Sequence, residues 1–245
     1  MVSIGNFFFK YRNLLFPIFG ISIFIPSPSL FTPDVFGPNY YAWPVTLGFL
    51  IAIIGQAFRA MTIGFKYIVR GGKDKKVYAV DLVTEGMFHH CRNPLYVGNI
   101  LMLLGVGLLS NSLYFVITVV PIFCFIYQAI VVAEENYLRG KFGPQYDHYT
   151  RDVNRWIPNL TGIRLTFRGA IFNWRRYLLN EYNTLYMLGL SMLLVLMVHH
   201  PQLRSMAVNE KLIVSGIVVA ILTALFLFVR HLKKTNRLSR TLGSL

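Results

Sequence analysis

The chain has 245 residues, of which 55% are hydrophobic and 14% are charged, and its formal net charge is +14. This composition leaves little polar sequence for soluble domains and is typical of a membrane protein. A basic excess can indicate nucleic-acid binding, but the cytoplasmic loops of membrane proteins also accumulate Lys and Arg. We therefore expect the lipid bilayer, and no nucleic acid, as the partner. Two cysteines, Cys91 and Cys124, fit neither a disulfide framework nor a zinc site, and no metal site is expected.

Six apolar stretches are candidates for crossing a bilayer, which takes about 20 residues. In chain order they are Asn13–Leu30, Pro44–Val69, Pro94–Leu109, Leu113–Ala133, Thr184–His199 and Lys211–Val229. The first contains three prolines and is expected to be kinked or frayed at its outer end. The third and fifth are short and need tilt or flanking anchors. The predicted fold class is all-α, a polytopic membrane helix bundle of about six transmembrane helices.

The basic residues predict how this bundle is oriented. They concentrate before the first stretch, in residues 70–92, in residues 139–176 and in the tail, whereas the alternate loops hold only Arg204, with Lys211 at a boundary. This asymmetry places both termini and the two long loops in the cytoplasm. The chain is thus predicted to be a multi-pass integral membrane protein, located in the inner membrane if its source is bacterial. The first segment is expected to be retained, since no small-residue cleavage site follows it.

Residues 161–182 have the composition of an amphipathic helix. Apolar and aromatic residues, Trp174 among them, are interleaved there with four arginines. A basic amphipathic helix that lies in the headgroup layer has this composition. A solvated linker is the alternative.

The third stretch is preceded by the sequence Arg92-Asn93-Pro94-Leu95-Tyr96-Val97-Gly98. Pro94 is well placed to start the helix, Gly86 upstream permits a turn, and Gly98 permits close backbone approach. Open backbone groups at membrane depth persist where they line a cavity or bind a ligand. The helix N-terminus after Pro94 also offers partial positive charge to a carboxylate. The alternative is an ordinary loop-to-helix junction with Arg92 reaching lipid phosphate.

Glu134 and Glu135 follow the fourth stretch, and the spacing to Leu138 and Phe142 continues its helix. An acidic pair near a helix C-terminus is disfavoured by the helix dipole. A cationic group is therefore expected nearby, either Arg92 or a positively charged ligand. A solvated helix end paired with Arg139 is the alternative.

Taken together, these two motifs carry a family resemblance. The combination is Arg-Asn-Pro-x-Tyr-x-Gly, then Glu-Glu-x-x-Leu-x-x-x-Phe-Gly-x-x-Tyr-x-x-Tyr, closed by Arg-Trp-Ile-Pro at 155–158. It resembles the isoprenylcysteine carboxyl methyltransferase and phospholipid methyltransferase superfamily of integral membrane enzymes, over about residues 44–158. The resemblance implies a membrane methyltransferase core in residues 1–160, followed by the amphipathic segment 161–182 and by two additional transmembrane helices with a basic tail in 183–245.

The resemblance also implies a cofactor, S-adenosylmethionine, bound from the cytosolic side. The residues that it implies for the cofactor pocket are Val80, Asp81, Leu82, Val83, Phe88, Asn93, Pro94, Leu95, Tyr96 and Glu134. Glu134 could balance the cationic cofactor, and Tyr96 and Phe88 could stack on its adenine or sulfonium. The candidate residues for binding or activating the methyl acceptor are Arg92, Glu135, His90 and Arg59, with His90 and Glu135 as possible bases.

One departure from the family pattern concerns the acceptor. Isoprenylcysteine enzymes have an arginine one helical turn before the first Glu, where this chain has Ile130, so a prenylcysteine acceptor is in doubt. Arg59 and Gln56 are the nearest substitutes, and a lipophilic or lipid-like acceptor is expected. Two alternatives stay open: an NADPH-dependent membrane reductase of the sterol reductase type, and a non-catalytic membrane scaffold of the same fold.

Overall fold

The computed structural model describes residues 1–65 and 77–235. Their regular structure is helical, apart from one isolated bridge between Ser29 and Ser112. The α-helices, in chain order, are α1 (Val2–Ile21), α2 (Pro33–Phe36), α3 (Ala42–Phe65), α4 (Pro94–Leu109), α5 (Val120–Phe142), α6 (Pro144–Asp152), α7 (Ile163–Thr166), α8 (Trp174–His199), α9 (Pro201–Arg204) and α10 (Val208–Lys234). Short 3₁₀ turns follow α1 and precede α4, and a π-turn, Phe115–Val119, leads into α5.

The predicted membrane bundle is confirmed. Five helical segments within the described residues are long and apolar enough to cross a membrane, namely Val2–Phe24, Ala42–Phe65, Phe115–Phe142, Trp174–His199 and Val208–Lys234. A sixth apolar helix, α4, is shorter, as its sequence predicts. The predicted end of the second stretch at Val69 lies outside the described residues, as do most basic residues of the loop before α4. The orientation in the bilayer stays a prediction.

The first helix differs from its prediction. It begins at Val2 rather than Asn13 and ends before the prolines at 26 and 28, so that Lys10 and Arg12 lie within it rather than in front of it. The reason is packing, because Gly5 and Phe9 are buried and Gly5 approaches the Ala129 carbonyl of α5. Further along α1, Phe16 contacts the rings of Phe123 and Tyr127. Arg12, one turn after Phe9, is half-buried.

Helices α3 and α4 make the closest contact in the bundle. Gly55 faces the Gly98 carbonyl, and Gly48 faces that of Gly105, so that a Cβ added at any of these four positions would lie within 2.7 Å of a backbone atom. Small residues allow membrane helices to approach in this way, where lipid offers no hydrophobic drive for association. The close approach predicted at Gly98 is confirmed, as are the start of α4 at Pro94 and the turn at Gly86, which has φ +63°.

We expect Gly105→Ala to destabilise the protein by about 1–3 kcal/mol, since its new methyl group would push α3 and α4 apart. Gly216 on α10 provides the matched control, because a Cβ there would meet no atom within 4 Å. Thermal unfolding in detergent should show a lower midpoint for Gly105→Ala and no loss for Gly216→Ala. Equal midpoints for the two variants would contradict the proposed close contact.

The predicted amphipathic helix over residues 161–182 is not continuous. The described chain forms only one turn, α7, then an irregular segment in which Gly169 has φ +77°, and Trp174 begins the long helix α8. The cap of α8 explains this start, since the Asn173 side chain accepts a hydrogen bond from the Arg176 amide at 2.8 Å. The fifth transmembrane helix thus starts ten residues earlier than predicted. It packs against α3, α4 and α10.

Candidate functional site

A cavity of about 1300 Å³ lies among α1, α4, α5 and α8, and residues 77–83 also line it. All ten residues implied for the cofactor line it, and so do Arg59, Arg92 and Glu135. Its volume exceeds that of a usual small-molecule pocket, which is about 300–1,000 Å³. It therefore has room for more than one small ligand.

The two ends of this cavity differ in polarity. At one end the lining residues of the four helices include Arg12, Asn13, Tyr96, Asn99, Glu134, Asn180, Asn183 and Thr184. Towards the other end the same helices contribute chiefly apolar residues, among them Phe16, Ile23, Met102, Val106, Phe123, Leu188 and Val195. From Phe9 to Phe24 the lining follows α1 and the 3₁₀ turn after it for about 22 Å. The cavity is thus amphipathic along its length.

The carboxylate of Glu134 lies at the polar end. The hydroxyl of Tyr96 donates a hydrogen bond to Glu134 Oε1 at 2.7 Å, which joins the first turn of α4 to α5. Tyr96 also packs against Tyr127, with 5.1 Å between ring centroids. One carboxylate and two aromatic rings therefore share one wall, an arrangement suited to a ligand with a positive charge.

Glu135 has a different environment from its neighbour. Arg155 holds it through two hydrogen bonds, from Nε at 3.0 Å and from Nη2 at 2.7 Å, and Nη1 of Arg92 lies 3.4 Å from the same carboxylate. The cation expected near the acidic pair is therefore Arg92, together with Arg155. The alternative pairing with Arg139 is wrong, since Arg139 binds Asp147 at 2.7 Å. Pairing with Glu135 raises the pKa of Arg155.

The segment after α6 returns to the loop before α4 and fixes it. The Asn93 side chain donates to the Arg155 carbonyl at 3.1 Å, and the Arg92 amide donates to the Asn154 carbonyl at 2.9 Å. Cys91 is fully buried, its thiol lies 3.5 Å from the carbonyls of Arg155 and Trp156, and burial raises the pKa of this thiol to about 11. Nε of Arg92 is buried and has no hydrogen-bond partner among the described residues. One N–H donor of Arg92, a residue that lines the cavity, thus has no acceptor among the described residues.

His90 is the one predicted site residue that the structure does not bring to the cavity. Its Nδ1 lies 2.6 Å from the Asn159 carbonyl and its Nε2 lies 2.8 Å from the Thr166 hydroxyl. Both ring nitrogens are therefore engaged by the chain that follows α6. His90 fastens this segment, and within the described residues that line the cavity there is no histidine.

Arg59 forms a buried ion pair with α8. Its Nε and Nη2 donate to the two oxygens of Glu181 at 2.6 and 2.7 Å, and its Nη1 donates to Asn99 at 2.6 Å. Arg59 and Glu181 are 4% and 0% exposed. Gln56, the other predicted substitute, donates to the hydroxyl of Tyr177 at 2.9 Å. Both residues thus join α8 to α3, and Arg59 reaches the cavity with its guanidinium already bound to a carboxylate.

The contribution of α1 and α8 to the cavity was not predicted from the sequence. The cavity-lining residues of α8 are Asn180, Asn183, Thr184, Met187, Leu188, Ser191, Leu194 and Val195, which recur every three or four residues on one face. Polar residues at this spacing beside an apolar stretch were the available signal. One of the two helices that were assigned to an addition, α8, therefore forms a wall of the cavity.

These features define an integral membrane protein with an amphipathic cavity that polar side chains line at one end. The sequence model of the phospholipid methyltransferase family matches residues 43–145. With the relatives below, this match confirms the resemblance to the isoprenylcysteine and phospholipid methyltransferase superfamily. The matched region includes α3, α4 and α5 but ends before α8.

Three curated relatives match the chain. It is 30% identical over 147 residues to the cobalt-zinc-cadmium resistance protein CzcN of Cupriavidus metallidurans, covering 59% of this chain and 61% of that protein. It is 30% identical over 118 residues to the nickel-cobalt-cadmium resistance protein NccN of Alcaligenes xylosoxydans xylosoxydans, covering 48% and 50%. It is 29% identical over 117 residues to the protein-S-isoprenylcysteine O-methyltransferase of Schizosaccharomyces pombe, covering 46% and 48%. The matches thus span about half of each relative. No solved structure matches the chain.

Proposed function

We propose that this protein is an S-adenosylmethionine-dependent methyltransferase of the membrane, acting on a lipophilic or lipid-like acceptor. The observation that carries the proposal is the amphipathic cavity, in which the residues implied for the cofactor lie at the polar end and an apolar cleft continues from them. Support for methyl transfer comes from the family match and from the isoprenylcysteine methyltransferase relative.

The residues at the polar end fit this cofactor. Glu134 supplies a negative charge for its sulfonium and ammonium groups, and the ring of Tyr96 lies beside that carboxylate. The buried, unpartnered Nε of Arg92 is a donor for the carboxylate of its methionine portion. Residues 79–83 offer backbone groups and Asp81 for the adenosine portion. When bound, the cofactor supplies an electrophilic methyl group.

The contribution of the protein is then alignment and exclusion of water. In-line displacement at a methyl group needs donor and acceptor held at about 3–3.5 Å, and the apolar cleft would hold the acceptor's tail so that its head meets the cofactor. Glu135 serves as an anchor rather than a base in this proposal, because two arginines hold its carboxylate. We propose that the polar end faces the cytoplasm, where the cofactor is available.

Isothermal titration of the purified protein in detergent tests the proposal. We expect saturable binding of S-adenosylmethionine and of its demethylated product, S-adenosylhomocysteine. NADPH should give no heat beyond dilution. Binding of NADPH without S-adenosylmethionine would overturn the proposal in favour of a reductase, and binding of neither would favour a scaffold.

A further inference from the structure

We infer that the acceptor enters the cavity laterally from the bilayer, through a gap between α1 and α8. This inference rests on the proposed function and extends it to the route that a lipid-like acceptor takes. Both helices are long and apolar enough to cross a membrane, so their outer faces meet acyl chains. Both helices also line the cavity, and both lie outside residues 43–145, which the family model matches.

The two helices border the cavity without forming a closely packed helix pair. Over its described length α1 packs chiefly on α5, whereas α8 packs on α3, α4 and α10. Only at the apolar end of the cavity does α8 contact the 3₁₀ turn Ser22–Phe24, where the rings of His199 and Phe24 stack with 6.2 Å between their centroids. The α1–α8 gap is therefore closed at its apolar end.

The sides of the gap are marked by residues that line the cavity and are nevertheless exposed. They recur along one face of each helix, as Asn13, Pro17 and Ile21 on α1 and as Asn183, Met187 and Leu194 on α8. Ile21 and Met187 are 67% and 55% exposed, whereas Met102, which lines the cavity from α4, is 7% exposed. Side chains that line a cavity but keep half of their surface free lie at its mouth.

The polarity of the gap fits a bilayer amphiphile. Asn13 and Asn183 lie towards the polar end of the cavity, and the apolar residues Ile21 and Leu194 lie about 12–17 Å further along the same helices. Asparagine amides can form hydrogen bonds with a polar head, and the apolar edges can cover a hydrocarbon tail. An amphiphile would thus enter with its head and tail side by side in the gap, in the order that they have in the bilayer.

Photolabelling inside the cavity tests this route. The probe is hexadecanol with a diazirine near the end of its chain, delivered from vesicles to the full-length protein in nanodiscs and illuminated at increasing times. Label on Met102, which is buried and lines the cavity, reports entry, and label on Leu225, which is exposed on α10, reports arrival in the bilayer. We expect excess unlabelled hexadecanol to protect Met102. Absence of label on Met102 would overturn the inference.

Two substitutions that narrow the gap assign entry to it. Gly20 lines the cavity from α1, and a Cβ there meets no atom within 4 Å, so the side chain of Gly20→Trp starts in open space. Met187→Trp narrows the gap from α8. Each variant should slow labelling of Met102, relative to labelling of α10, by about tenfold or more, which is within the range of association rates among variants of one site.

Gly216→Trp on α10 is the matched control. A Cβ at Gly216 also meets no atom within 4 Å, but Gly216 does not line the cavity. This variant should label Met102 at the rate of the wild type. Equal rates in Gly216→Trp and in both variants of the gap would overturn the inference and indicate entry past residues 77–83.

Titration of S-adenosylmethionine separates this inference from the proposed function. Gly20→Trp should bind the cofactor as tightly as the wild type, because α1 contributes none of the residues implied for the cofactor. If both gap variants slow the labelling of Met102 but the wild type does not bind S-adenosylmethionine, the proposed function fails while the entry route stands. If the wild type binds the cofactor but neither gap variant slows the labelling, the entry route fails while the proposed function stands.

Discussion

Replacing Glu181 by alanine is expected to destabilise the protein by about 3–5 kcal/mol, the largest stability loss that we predict for one substitution. The carboxylate is fully buried and binds both Nε and Nη2 of Arg59. Its removal leaves a buried guanidinium charge whose remaining partners among the described residues are Asn99 and, at 3.4 Å, the Leu95 carbonyl. Thermal unfolding in detergent should show a large fall in the midpoint.

A double variant distinguishes the ion pair from simple packing. Replacing a buried pair by apolar residues of similar size is often neutral or stabilising, because both desolvation costs disappear. We therefore expect Arg59→Met combined with Glu181→Leu to be clearly more stable than Glu181→Ala alone. If the double variant loses as much as the two single changes added together, the ion pair is not what fixes α8 to α3.

Glu134→Gln is expected to weaken S-adenosylmethionine binding by about 10- to 100-fold, since it removes the negative charge that faces the cationic cofactor. Glutamine retains an oxygen that can accept the hydrogen bond from Tyr96, so the fold should keep its stability within about 1 kcal/mol. Isothermal titration measures the affinity. Unchanged binding would show that Glu134 does not face the cofactor.

Glu210→Gln is the matched control for this substitution. Glu210 is exposed in the first turn of α10 and does not line the cavity. The Glu210→Gln variant loses the same charge as Glu134→Gln but outside the cavity, so its affinity for the cofactor should equal that of the wild type. A similar loss in both variants would mean that overall charge, rather than the site, controls binding.

The parts of the fold that the sequence predicted are those that depend on local chemistry. Apolar length predicted the membrane helices, and Pro94, Gly86 and Gly98 predicted a helix start, a turn and a close contact that are all present. The acidic pair predicted a cationic neighbour, which is Arg92 together with Arg155. Each of these features depends on a short stretch of chain and its immediate surroundings.

The missed features depend on which helices become neighbours. Arg59 and Glu181 are 122 residues apart in the chain, and helical periodicity cannot say that α3 and α8 will meet. In a membrane, hydrophobicity does not select helix partners either, because lipid acyl chains cover an apolar helix face as well as another helix does. For the same reason Arg12, assigned to the chain before the first span, proved to lie on α1 and to line the cavity. His90 was misplaced because its partners, Asn159 and Thr166, come from a later loop.

Transfer of a radiolabelled methyl group to a lipid acceptor is the direct test of methyltransferase activity. Purified protein in nanodiscs made from bacterial membrane lipids is incubated with methyl-labelled S-adenosylmethionine, and label is counted in the organic-soluble fraction. We predict protein-dependent incorporation that falls to about a tenth or less in Glu134→Gln at subsaturating cofactor and persists in Glu210→Gln. Incorporation that does not depend on Glu134, or no incorporation by protein that binds the cofactor, would rule out methyl transfer at this site.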